Sequence, residues 1–187
     1  MAKFVAFAAI LVALAVANAV PIKQESAAQK ARYAMSKTSW VSIATISTTE
    51  GIQDYPMVNV KSTADAGTGI PYLFFSDLDL SVIDINSNPK ASILATLADG
   101  DCVEGSLDPQ DPRCPRLILT GTVVKVEDSQ EEKLARSALY ANHPDMEMWA
   151  GVHDFYISKM NIERVTYLGN FGGADIIDPS EYLATKL

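Results

Sequence analysis

GIPYLFFSDLDLSVIDINSNPKASILATL, running from Gly69 to Leu97, sets the architecture of the chain. Tyr72, Leu73, Phe74 and Phe75 form a short unbroken apolar run, the pattern of a strand covered on both faces. The spacing predicts a strand over Pro71–Ser76, one or two turns of helix over Leu80–Asn86, and a second strand over Ala91–Leu97. Asn88-Pro89 punctuates the helix end, because a residue before proline is pushed out of the α region. A turn entering a helix often holds phosphate, since the first N–H groups are free. Here that turn carries Asp77 and Asp79 and no lysine or arginine.

Outward from this stretch, Ser26 and Gln29 make a capping-box pattern opening a helix over Ser26–Ser36. WVSIATIS (Trp40–Ser47) reads as a strand, followed by a turn at Gly51 and a second strand over Tyr55–Ser62, with Val58 and Val60 on one face. RLILTGTVVKV (Arg116–Val126) is the longest strand, and its Gly121 marks a bulge or barrel corner. Ser129–Tyr140 is a helix with Ser129 as cap, Glu132 closing the capping box, and an apolar stripe of Leu134, Ala135, Ala138 and Leu139. A helical turn is expected over Asp145–Gly151, strands over Phe155–Met160 and Arg164–Leu168 with Gly172-Gly173 ending the last, and a short helix over Pro179–Leu183. Strands adjoin strands more often than they alternate with helices. The economical architecture is therefore α+β and mainly β: a closed or partly closed antiparallel barrel with helices outside.

The 187 residues suit one domain, and 48% hydrophobic residues supply a core. Residues 1–19 are set apart. Lys3 precedes the uncharged apolar run Phe4–Ala17, and Ala17-Asn18-Ala19 fits a small-x-small cleavage site. This is the pattern of a secretory signal peptide, leaving residues 20–187 as a single domain. The run is shorter than the roughly 20 residues a membrane-spanning helix needs, so no span is expected after cleavage. Losing Lys3 moves the formal net charge from −8 to −9, which argues against nucleic acid and anionic membrane surfaces as partners. Cys102 and Cys114 form an even pair behind the leader, flanking a loop that contains Gly105, Pro109 and Pro112. The expectation is a disulfide, within one chain or across two; no neighbouring cysteine or histidine completes a metal site instead.

Asp77 and Asp79 read as solvated turn formers rather than metal ligands, and Ser81 and Asp84 as helix cap and first-turn charge. His143 precedes a proline at a helix end and reads as structural; His153 lies in no nucleophile or metal motif. Trp40 and Trp149 are assigned to the core or to a subunit interface.

The succession WVSIATIS, FFSDLDLSV, NSNPKASI, RLILTGTV, HPDMEMW, the two cysteines, and FGG followed by PSEY resembles the FMN-binding split-barrel superfamily. Within it the sequence is most similar to the CREG family of secreted cellular repressors, over about Ser26–Tyr182. The resemblance implies a homodimeric six-stranded split barrel with flanking helices. In flavin-using relatives FMN lies at the dimer interface, its phosphate held by hydroxyls and basic side chains. Counted back from Asn88-Pro89, the basic position falls on Ser81 and the preceding hydroxyl on Asp79; a second basic position falls near Asn59. The flavin site therefore reads as degenerate. No catalytic residue, metal or cofactor is expected.

What the resemblance then implies is a secreted or endosome–lysosome protein, non-enzymatic, acting through protein partners in growth restraint and differentiation. A cell-surface or sorting receptor is among those partners. The alternative is an FMN-dependent oxidoreductase of the secretory pathway. Family members carry N-linked glycans, but none of the asparagines here begins an N-x-S/T sequon, so a glycan-read sorting route is not expected.

Overall fold

The computed structural model describes residues 25–150 and 153–187. The leader expected over 1–19 lies outside the described residues. In chain order the elements are α1 (Ala27–Lys37), β1 (Trp40–Ile46), β2 (Pro56–Ala64), β3 (Tyr72–Ser76), α2 (Leu80–Ser87), β4 (Lys90–Thr96) and α3 (Asp101–Glu104). They continue with β5 (Arg116–Lys125), α4 (Ser129–Asn142), α5 (Met146–Trp149), β6 (Phe155–Leu168), β7 (Asp175–Ile177) and α6 (Pro179–Ala184).

All pairings are antiparallel, in the order β3-β2-β1-β4-β5-β6-β7, and β3 also pairs with β6. That last pairing closes six strands into a barrel and removes the open edges that would otherwise invite association. Alternation along the strands fills the interior. Val41 and Ile43, Leu73 and Phe75, Ile93, Leu117, Leu119 and Met160 join one buried cluster, to which α1 adds Ala31 and Met35 and α2 adds Val82 and Ile85. The opposite face of β3 is covered too: Tyr72 and Phe74 pack with Ala135 and Leu139 of α4. This double coverage explains the unbroken YLFF run.

Three expectations change. The C-terminal tract is one strand, not two. Between Thr120↔Arg164 and Gly121↔Ile162 the register of β5 against β6 slips, leaving Glu163 as the extra residue of a bulge. The polar stretch Asn161–Glu163 resembles a break but stays paired because of that bulge. Gly121 is required there: a Cβ would lie 2.0 Å from the Asn161 carbonyl oxygen. Second, Asp128 rather than Ser129 caps α4, accepting from the N–H groups of Gln130 (2.9 Å) and Glu131 (2.7 Å). Glu132 then serves the ion pair with Arg136, and Leu134 is exposed rather than part of the buried stripe. Third, β7 follows the Gly172-Gly173 turn and adds a seventh strand to β6.

The capping box of α1 forms as read, with Gln29 N–H donating to Ser26 Oγ (3.1 Å) and Ser26 N–H to Gln29 Oε1 (3.0 Å). Buried Arg32 ties α1 to the C-terminal segment and to the loop between β2 and β3, donating to the carbonyls of Thr185 (2.8 Å) and Gly67 (2.6 Å). Cys102 and Cys114 are joined within the chain, Cα–Cα 5.6 Å, and pack with Leu97 into a small satellite cluster. Among the described residues no helix is long and apolar enough to cross a membrane.

Candidate functional site

The start of α2 is where the sequence directs attention, and four polar residues meet there. Asp79 is the N-cap: its Oδ1 accepts from the Ser81 N–H at 2.8 Å. Ser81 is buried, and its Oγ accepts from Asn59 Nδ2 at 3.0 Å. So Asp79 and Ser81, picked out by counting back from a proline, and Asn59, picked out on the second strand, are joined in one hydrogen-bonded set. The fourth member was not anticipated. Lys61 on β2, only 8% exposed, forms an ion pair with Asp79, and its ammonium lies 5.7 Å from the centre of the Phe75 ring. Strand alternation carries a signal for it: with Val58 and Val60 facing out, Asn59, Lys61 and Thr63 face the other way.

The electrostatics of this corner are self-contained. Burial pushes the Asp79 carboxyl upward, but the hydrogen bond and charge of Lys61, together with Ser81, outweigh it and hold the group below the usual aspartate range. Asp79 is thus not a solvated turn former. Nor is Asp84 a surface first-turn charge. It is 1% exposed and accepts from Thr45 Oγ1 (2.8 Å), Thr48 N–H (2.7 Å) and Thr48 Oγ1 (2.9 Å). These bonds pin α2 to the end of β1 and the turn beyond it.

A phosphate dianion brought to this corner would meet the Asp79 carboxylate and a lysine already neutralised by it. The Ser81 N–H is occupied as well. The residues present do not fit the phosphate of FMN.

The other singled-out residues lie apart from this corner. His143 Nε2 sits 2.8 Å from the Ser39 carbonyl and 3.3 Å from that of Thr63, at the C-cap of α4. His153 stands edge-on to Phe155. Trp40 donates its indole N–H to Asp99 at 2.6 Å, while Trp149 remains half exposed beside Phe155 rather than joining the core. Asp77 is exposed and accepts from Tyr156 Oη at 3.2 Å. Among the described residues no group of three or more His, Cys, Asp or Glu side chains could hold a metal ion.

Part of the outward face of the barrel is apolar. Val58 is 67% exposed and Val60 59%, and Ile46 lies on the same sheet. A groove of about 290 Å³ runs over Ala44, Val58, Leu94 and Ile118, almost wholly apolar. Isolated exposed apolar residues are ordinary, whereas a contiguous patch marks an interaction surface.

The sequence matches the family described as "CREG, beta-barrel" over residues 22–184. The chain belongs to the CREG family. Protein CREG1 of Gallus gallus is 39% identical over 186 residues, covering 96% of this chain and 95% of that protein. The CREG relationship thus spans nearly the whole sequence. A more distant relative is the "non-canonical heme oxygenase HOZ, chloroplastic" of Arabidopsis thaliana, 30% identical over 74% of this chain but 40% of that protein. Among solved structures, a heme binding protein from Mycobacterium smegmatis superposes with a TM-score of 0.72 at 23% identity, over 87% of this chain and 62% of that one. At that identity the likeness establishes the fold, a split barrel, and nothing further.

Proposed function

We propose that this CREG-family chain is a secreted or endolysosomal protein without enzymatic activity, acting as a homodimer through protein partners in growth restraint and differentiation. The observation that carries the non-enzymatic reading is the Lys61–Asp79 pair. In a fold whose relatives include proteins named for heme, the corner suited to an anionic cofactor group is closed by the chain's own carboxylate. Dimerisation is supported by the outward sheet face bearing Ile46, Val58 and Val60, which a second copy would cover. The acidic balance and the leader-like residues 1–19 support secretion over any nuclear role.

The alternative is a cofactor-dependent oxidoreductase, flavin-based as the superfamily suggests or heme-based as the Arabidopsis relative's name suggests. A titration of the purified protein with haemin, followed by its absorption band, tests the heme-based form of that alternative. The non-enzymatic reading expects no saturable spectral change beyond that given by an unrelated acidic protein. A sharp, stoichiometric band shift would overturn it in favour of the alternative. Recovery of tagged full-length protein from the medium, lacking residues 1–19, tests secretion; retention of those residues in a cytosolic pool would refute it.

A further inference from the structure

A cavity of about 730 Å³ opens at the C-terminal end of α2, between Asn86, Pro89, the end of β5 and the start of β6. It shares only Phe75 with the Lys61–Asp79 corner and is within the size range of small-molecule sites. Its floor is apolar, made by the buried side chains of Phe75, Ile85 and Val123. One polar group interrupts that floor. Ser158 is 2% exposed, lines the cavity, and makes no side-chain hydrogen bond among the described residues.

The rim carries both signs of charge. Lys125 takes part in none of the ion pairs among the described residues; its ammonium stands 5.2 Å from the centre of the Tyr156 ring. At the hydroxyl end of the same ring, Tyr156 donates to Asp77 at 3.2 Å, and Asp154 lies on the rim as well. A cation over the face of one phenol ring and a carboxylate at its hydroxyl thus stand on the same rim, above an apolar floor. Burial and the Asp77 hydrogen bond raise the Tyr156 hydroxyl to about 12, so it remains a neutral donor.

This arrangement discriminates among ligand classes. A simple anion is opposed by two carboxylates, and a simple cation pairs with them but leaves Lys125 without a counter-ion. A purely apolar solute would strip water from Ser158 and the charged rim without replacing it. We propose that the cavity binds a small zwitterion with an apolar side chain, of the α-amino-acid type. Its carboxylate would face Lys125, its ammonium Asp77 and Asp154, and its side chain the Phe75–Ile85–Val123 floor.

The test is an amide-resolved NMR titration of the purified protein with L-phenylalanine, compared with phenethylamine, 3-phenylpropionate and glycine. Saturable shifts at Tyr156 and Ser158 are expected with L-phenylalanine. Each analogue lacking one charge, or the side chain, should bind at least about tenfold more weakly. Lys125→Met, at an exposed position, should abolish the preference for L-phenylalanine over phenethylamine while leaving the melting temperature unchanged. No saturable shift at about 10 mM, or equal binding of the single-charge analogues, would overturn the proposal. Neither outcome bears on the closure of the α2 corner, which contains none of Lys125, Tyr156 and Ser158.

Discussion

Asp79→Asn isolates the charge at the α2 corner from everything else the residue does. Asparagine is as good an N-cap as aspartate, so the bond from the Ser81 N–H is kept and only the carboxylate is lost. Lys61, 8% exposed, is then a buried cation without its counter-ion. Removing one partner of a fully buried pair costs about 3–5 kcal/mol. Asp79 is 28% exposed, so solvent relieves part of this, and a loss of about 2–3 kcal/mol is expected. In a domain of this size that lowers the melting temperature by roughly 5–10 °C. The pH dependence has a definite sign. The Asp79 carboxyl is held below its ordinary value of about 3.9 in the fold, so the stabilisation is fully present above that pH. It is lost as the pH falls through the depressed folded value. Urea unfolding at a series of pH values should therefore show the parent losing stability over that acid window and the variant losing less. The variant should also gain what the parent lacks, stabilisation by inorganic phosphate, because a cation now stands free at a helix start. Unchanged stability, an unchanged acid limb and no phosphate effect would together refute the reasoning.

Gly121→Ala should cost at least about 2 kcal/mol, since the new methyl meets the Asn161 backbone and not a movable side chain; a melting temperature equal to the parent's would contradict the bulge. Replacing Cys102 and Cys114 together by serine should lower stability by about 3 kcal/mol in the chain-entropy account, measured by urea unfolding, and reduction of the parent should reproduce the loss. Val58→Lys with Val60→Lys should leave the fold intact and yield a monomer by light scattering; a parent that is itself monomeric would refute the dimer. Asp84→Ala strands the hydroxyls and N–H that Thr45 and Thr48 direct at it and should cost about 2–3 kcal/mol in thermal unfolding, with little effect if α2 is not pinned as described.

Much of the barrel could be read locally. The β-branched alternation of Trp40–Ile46, the long run to Lys125 and the capping box at Ser26 are short-range signals, and the elements form where those signals lie. Gly121 could be marked as a bulge, yet its consequence fell on β6, forty residues away, where Asn161–Glu163 looked like a break. The seventh strand was hidden because three residues after a glycine pair carry no period of their own. The α2 corner was half legible. Counting from Asn88-Pro89 found Asp79 and Ser81, and helical spacing could have placed Ser81, Val82, Asp84 and Ile85 on one buried face. The Lys61–Asp79 pair depends on the register of β2 with β3, in which Thr63 meets Leu73. That is a tertiary fact, and composition of the turn alone suggested a corner with no cation.

A thermal-shift and fluorescence titration of the purified protein with FMN tests the central claim, that the chain's own carboxylate closes this corner. The account expects no saturation and no rise in melting temperature at millimolar FMN. Quenched flavin saturating at low micromolar, with stabilisation approaching the roughly 2.7 kcal/mol that a hundredfold excess over Kd provides, would contradict it.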